Sequence, residues 1–251
     1  MTEPVILEVC VDSVESAMAA ERGGAHRVEL CSALAEGGVS PSAGLIAVVR
    51  QRIRIGLHVM IRPRASDFCY SDEDFAVMQR DLVMAKQLRA DGVVFGILRT
   101  DGKIDIERTK HLVELARPLK VTFHRAFDMT GNLLQALRDA RATGAERILT
   151  SGGKQTAAEG AAMLKQLVEA ANGAIGIMAA SGIGEHNVAE LLEHTGVREV
   201  HASLRSTVTS PMRYQNEQIS MGTTKGCEYQ RLVADEEKVR ELLSSASKVN
   251  R

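Results

Sequence analysis

Two carboxylates and two thiols dominate the chemistry available to this chain. Glu8 and Cys10 lie in Leu7-Glu-Val-Cys10, and Glu29 and Cys31 in Val28-Glu-Leu-Cys31, 21 residues further on. Side chains alternate faces along a strand, so Glu8 shares a face with Cys10, and Glu29 with Cys31. A carboxylate on a buried parallel strand cannot face covering helices without a large desolvation cost. Both acids are therefore expected to point inward, toward a wet end of the sheet. Neighbouring strands would then gather two acids and two thiols around one small space. Thiolates and thioethers suit a soft cation such as Cu(I). Met60 has the same inward parity as Arg62 and offers a thioether to that set.

A second group of residues suits an anion. Met60-Ile-Arg-Pro-Arg64 supplies Arg62 and Arg64, and Thr122-Phe-His-Arg-Ala-Phe-Asp128 supplies His124, Arg125 and Asp128. Thr150-Ser-Gly-Gly153 contributes Ser151, Gly152 and Gly153, Ala180-Ser-Gly-Ile-Gly184 contributes Gly182, and a final apolar run ends on His201 and Ser203. Glycine-rich turns before helices present backbone N–H groups to anions. Glu8, Glu29, His124 and Asp128 are then candidates for general acid or base, with the arginines, turns, His201 and Ser203 holding substrate. The bland alternative is a buried ion-pair network of Glu8, Glu29, Arg62 and Arg125 that merely plugs the site. His124 and His201 lack the spacing of a zinc or iron site.

These residues sit at the ends of eight short apolar runs: 5–11, 27–31, 57–62, 92–98, 120–124, 147–151, 175–179 and 199–203. Amphipathic stretches at 13–23, 42–52, 71–90, 106–116, 133–143, 156–171, 185–195 and 235–245 separate and follow them. Ser71 before Asp72, Glu73 and Asp74 reads as a helix start. Gly23, Gly144 and Gly196 read as left-handed helix stops. Eight such units predict an α/β fold, the (β/α)8 TIM barrel, as a single domain over 1–251 whose chemistry lies at the C-terminal strand ends. No G-x-G-x-x-G follows the first strand, which disfavours a doubly wound dinucleotide fold. The polar connection 204–234 before the last helix reads as a long loop serving as lid, binding loop or assembly surface.

Composition narrows the partners. A net charge of −1 without a basic run, no Trp, three Tyr and five Phe argue against nucleic acid. No apolar stretch approaches the ~18–20 residues that span a bilayer. Met1-Thr-Glu-Pro4 lacks the basic segment and apolar core of a signal peptide. Four cysteines without C-x-x-C spacing form no disulfide framework and suit a cytoplasmic chain with reduced thiols. Cys69 and Cys227 receive no role.

With Leu34-Ala-Glu-Gly-Gly38, Val94-Phe-Gly96 and Asp101-Gly102, these motifs resemble the CutC copper homeostasis protein family from about residue 7 to about residue 229. The resemblance implies a cytoplasmic TIM-barrel homodimer that handles copper and binds Cu(I) through cysteines, which singles out Cys10 and Cys31. It indicates no organic cofactor. The chain departs from the family's common pattern at Ala65-Ser66 and Ala180-Ser-Gly182, where Gly-Gly and Gly-Ala-Gly are frequent. Two functions follow as expectations. One is copper handling at Cys10 and Cys31; the other is a barrel enzyme acting on a small anionic or phosphorylated metabolite.

Overall fold

The computed structural model describes residues 4–216, 218–221 and 227–250. Strands and helices alternate as β1 (Ile6–Val11), α1 (Val14–Arg22), β2 (Arg27–Leu30), α2 (Ala43–Arg52), β3 (Gly56–Met60), α3 (Asp72–Gln87), β4 (Gly92–Phe95) and α4 (Ile106–Ala116). The second half follows as β5 (Lys120–Phe123), α5 (Leu133–Thr143), β6 (Arg147–Thr150), α6 (Ala161–Ala171), β7 (Gly176–Ala180), α7 (Val188–Thr195) and β8 (Glu199–Ala202). β1 to β8 close into a parallel barrel in chain order, with β8 pairing back onto β1. This is the predicted (β/α)8 barrel.

Period-two alternation sorts each strand's side chains. Leu7, Val9 and Val11 on β1, with Val28 and Leu30 on β2, are buried in the layer between barrel and helices. Removing each such side chain from water contributes about 1.5–3 kcal/mol. The intervening residues face the barrel axis, so polar ones must find partners there or at the open end.

Helix starts follow the sequence signals. Ser71 forms a capping box with Asp74, and Ser13, Ser42, Asp105, Asn132 and Asp235 each accept an N–H of a first turn. Each cap contributes about 1 kcal/mol. Gly144 and Gly196 are left-handed as expected, but Gly23 is not: its φ is −70°, and Gly24 makes the turn at +95°. Gly23 matters for packing, because a Cβ there would lie 2.5 Å from Val239 Cβ on the last helix. α6 begins five residues later than the amphipathic pattern suggests. Gly160 packs so close to the turn after β6 that a Cβ would meet Ser151 O at 1.9 Å.

The connection 204–234 is not a loop throughout. It holds β9 (Arg205–Thr209) and β10 (Gln230–Ala234), paired antiparallel with Arg205 opposite Ala234, before α8 (Glu236–Ser247). Ser16 Oγ of α1 accepts the Ala234 N–H at 3.1 Å, which fixes the returning strand beside the first helix. Arg205 is thereby held at the C-terminal mouth of the barrel. Among the described residues, no helix is long and apolar enough to cross a membrane.

Candidate functional site

The barrel interior is charged where barrels usually carry Val, Ile and Leu. Arg27, Arg147 and Glu199 open their strands and meet across the lower interior. Arg27 Nε donates to Glu8 Oε2 at 2.5 Å and its Nη2 to Glu199 Oε2 at 2.7 Å, and Arg147 Nε donates to the same Glu199 oxygen at 2.6 Å. Glu8 has no solvent exposure. Burial pushes its carboxyl up, but the His201 hydrogen bond and the Arg27 charge outweigh burial and hold it below the usual carboxylate range. Glu8 therefore points inward as expected, but it lies below the wet end, sealed among partners.

Above this floor the contacts run toward the mouth. His201 Nδ1 lies 2.9 Å from Glu8 Oε1, and His201 Nε2 lies 3.6 Å from Glu29 Oε2. Cys31 Sγ donates to Glu29 Oε2 at 3.6 Å, and the Cys10 and Cys31 sulfurs stand 4.0 Å apart. Register explains the meeting: Cys10 pairs with Glu29, and Glu8 with both Arg27 and His201. Burial disfavours a charged His201, yet Glu29, Cys10 and Glu8 raise its pKa well above 6.5. The Cys31 hydrogen bond and then His201 bring Cys10 down to about 5 against burial, whereas the Cys10 contact, burial and Glu29 push Cys31 well up. Glu29 is raised chiefly by burial, with Cys10 and Glu8 adding to it. The pair is thus one thiolate sharing one proton with its neighbour. Met60, Val94 and Leu34 pack with the two cysteines in one apolar cluster.

A cavity of about 450 Å3 opens above. Cys10, Glu29, Met60, His201 and Ser203 line it on one side; Arg62, Phe68, His124, Arg125, Gly182 and Arg205 also reach it. Cys31 is fully buried beneath, against Cys10. Arg62 donates through Nη1 to the carbonyls of Glu36 and Gly38 and through Nη2 to that of Ser66, so it pins the loops after β2 and β3. It makes no ion pair with Glu8 or Glu29, contrary to the plug network envisaged from sequence.

Other predicted residues face elsewhere. Arg64 pairs with Asp67 and Asp74 and stacks on Tyr70, away from the cavity lining. Asp128 turns back into its own structure: it accepts the backbone N–H of Ser151 and Gly153 and the hydroxyls of Thr150 and Ser151. The Gly152 N–H donates to Thr150 Oγ1. The turn amides expected to face an anion therefore face an internal carboxylate, and α6 begins too far on to add its dipole. Arg125 pairs with Asp128 and donates to Ser151 Oγ, with part of its side chain still exposed at the cavity. Sequence reasoning missed Arg27, His58, Arg147 and Glu199, although each lies two residues before a polar or sulfur-bearing residue already singled out or, for Arg147, before Leu149. It also missed Arg205 and Phe68, for which no motif gives a signal.

Among the described residues, two groups of donors could hold a metal ion: Cys10, Glu29 and Cys31, and Glu8, Glu29 and His201, with each group's ligand atoms within 4.8 Å of one another. The second already carries a proton on His201 and an Arg27 contact, so the first is the softer and freer set.

Comparison with known proteins identifies the family and bears out the barrel. The sequence profile of the CutC family matches residues 5–206. The copper homeostasis protein cutC homolog of Homo sapiens is 49% identical over 245 residues, covering 97% of this chain and 90% of the human one. A CutC family protein of Bacteroides fragilis is 46% identical over 242 residues and 96% of each chain. The crystal structure of a CutC copper homeostasis protein from Streptococcus agalactiae superposes with a TM-score of 0.76 at 32% identity, over 79% of this chain and 98% of that one.

Proposed function

This chain belongs to the CutC family, and we propose that it is a cytoplasmic copper-handling protein that takes Cu(I) as cargo between Cys10 and Cys31. The observation that carries the reading is the 4.0 Å separation of the two sulfurs at the base of an accessible cavity. Metal–thiolate bonds are ~2.3 Å, so two sulfurs sharing one ion lie at most ~4.6 Å apart, and this pair falls inside that limit without moving. The donor set suits a soft monovalent ion: two sulfurs that can both ionise, with the Met60 thioether packed beside them.

Charge balance favours the same ion. The resting pair shares one proton between two sulfurs, and exchanging that proton for Cu(I) leaves the buried charge unchanged. A divalent ion would add a charge to a site already holding the His201 imidazolium, and a structural zinc site wants four N or S ligands. The residues serve separate roles. Cys10 supplies the ready thiolate, and Cys31, whose S–H donates to Glu29, releases the exchanged proton to solvent. His201 holds Glu29 and Glu8 in register beneath.

Anaerobic Cu(I) titration against a competing chelator tests this. Wild type is expected to bind one equivalent and release about one proton, with affinity rising with pH. Cys10→Ser and Cys31→Ser should each weaken binding by roughly a hundredfold or more. Unchanged affinity in both variants sinks the proposal.

A further inference from the structure

The cavity is too large for an ion alone. A single water takes ~30 Å3, and small-molecule sites run to about 300–1,000 Å3, the range in which this cavity of about 450 Å3 falls. Besides the sulfur side, its lining includes side chains with unpartnered nitrogens. His124 Nδ1 accepts the Ala126 N–H at 3.2 Å, which places the ring's proton on Nε2. Nε2 is buried and has no hydrogen-bond partner, and the residue is 4% exposed. Burial, aided by the Arg62 charge, lowers the ring to about 3, so it is a neutral N–H donor near pH 7.

Two guanidiniums also line the cavity. The Arg62 side chain is buried, its Nη atoms donate to three carbonyl oxygens, and its Nε has no hydrogen-bond partner. Carbonyls satisfy N–H groups but leave the positive charge standing. Arg205, delivered by β9, lines the cavity, and among the described residues its side chain has no ion-pair partner. Phe68 fixes the aim of both inner groups, with the Arg62 guanidinium 5.0 Å above its ring and the His124 ring 4.9 Å away. Leu34, Met60 and Phe68 add a short apolar stretch to the lining.

We infer that the cavity binds a small organic anion, a carboxylate or phosphate monoester of a few carbons, with its acidic head on His124 Nε2, Arg62 and Arg205. The glycine turn after β6 does not take that head, because Asp128 already fills it. The ligand would lie over the copper cargo site and share the Cys10 and Met60 wall with it.

Isothermal titration of the full chain with inorganic phosphate, 2-phosphoglycolate and succinate tests this and separates phosphate from carboxylate. At least one probe should bind saturably at millimolar concentration or below. His124→Asn keeps an acceptor for the Ala126 N–H but removes the Nε2 donor, and should weaken binding roughly tenfold or more. Arg205→Ala, at the rim and outside the packed interior, should do the same. His124→Gln, which returns a donor near Nε2, should keep more of the binding than His124→Asn. Arg138→Ala, an exposed charge-matched change on α5, should bind as wild type. The inference fails if none of the three probes saturates by about 10 mM, or if neither His124→Asn nor Arg205→Ala weakens the binding seen.

Discussion

Replacing Arg27 by Met tests whether the charged floor supports the site above it. Arg27 bridges Glu8 and Glu199, its side chain is 10% exposed, and a methionine of similar length would pack beside Met178. Removing one member of a buried pair costs about 3–5 kcal/mol, because the remaining charge stays buried without its counter-ion. Glu8 keeps His201 and Glu199 keeps Arg147, so the lower end, about 3 kcal/mol, is expected. For a domain of this size, 1 kcal/mol moves the melting temperature by about 2–4 °C, which gives a fall of roughly 6–12 °C. Neutralising the stranded acid should restore part of it. Arg27→Met with Glu8→Gln should therefore be less destabilised than the two single changes summed, by about 1–2 kcal/mol in a double-mutant cycle. Thermal and urea unfolding followed by circular dichroism at pH 7 supply both numbers. A loss below about 1 kcal/mol in Arg27→Met, or strict additivity in the cycle, would refute the reasoning.

Two further outcomes follow from the same geometry. His58 and His124 are held neutral by burial, at about 4 and about 3; the unfolded chain takes up their protons from pH 6.5 downward, whereas the folded chain does not until near pH 4, so stability should fall across that window. Each histidine contributes about 2–3 kcal/mol to the fall, and melting temperatures from pH 7 to pH 4 should show a shallower slope for His124→Asn; equal slopes would contradict this. Glu8, whose carboxyl lies below its usual range, is linked in the opposite region: its contribution is complete above about pH 4.5 and is lost only at lower pH. Asp128→Ala should cost about 3 kcal/mol by orphaning the turn donors, and formate or phosphate should raise the variant's melting temperature more than that of wild type; equal responses would show that the turn amides do not recognise an anion.

The fold was legible where local pattern and packing agree. Helices α4 and α5 occupy the stretches 106–116 and 133–143 read from periodicity, since each has a clean apolar face and an Asp or Asn cap. The inward aim of Glu8, Cys10, Glu29 and Cys31 followed from strand parity alone. Parity fails where a strand ends. Arg62 and Arg64 share it on paper, but β3 ends at Met60, and Arg64 swings out to Asp74. Partners are harder still to read. Nothing local to Ser151-Gly152-Gly153 shows that an acid 23 residues upstream will fill the turn, because that contact is made by the barrel's closure. The strands inside 204–234 were hidden by polar composition, although the β-branched run at 207–209 is consistent with β9.

The interior's polarity also bears on function. Replacing a buried ion network by apolar side chains is often neutral or stabilising, so stability gives little reason to retain Arg27, Glu8, Glu199 and Arg147. What the network does provide is a fixed negative charge beneath His201. That charge holds the imidazole in its protonated form, the imidazolium favours the thiolate at Cys10, and Cys31 is left as the proton donor. A Val or Leu floor could fold the same barrel, but without that charge beneath His201. The chain of contacts from Arg147 through Glu199, Arg27, Glu8 and His201 therefore couples the charged floor of a closed barrel to the sulfurs near its mouth.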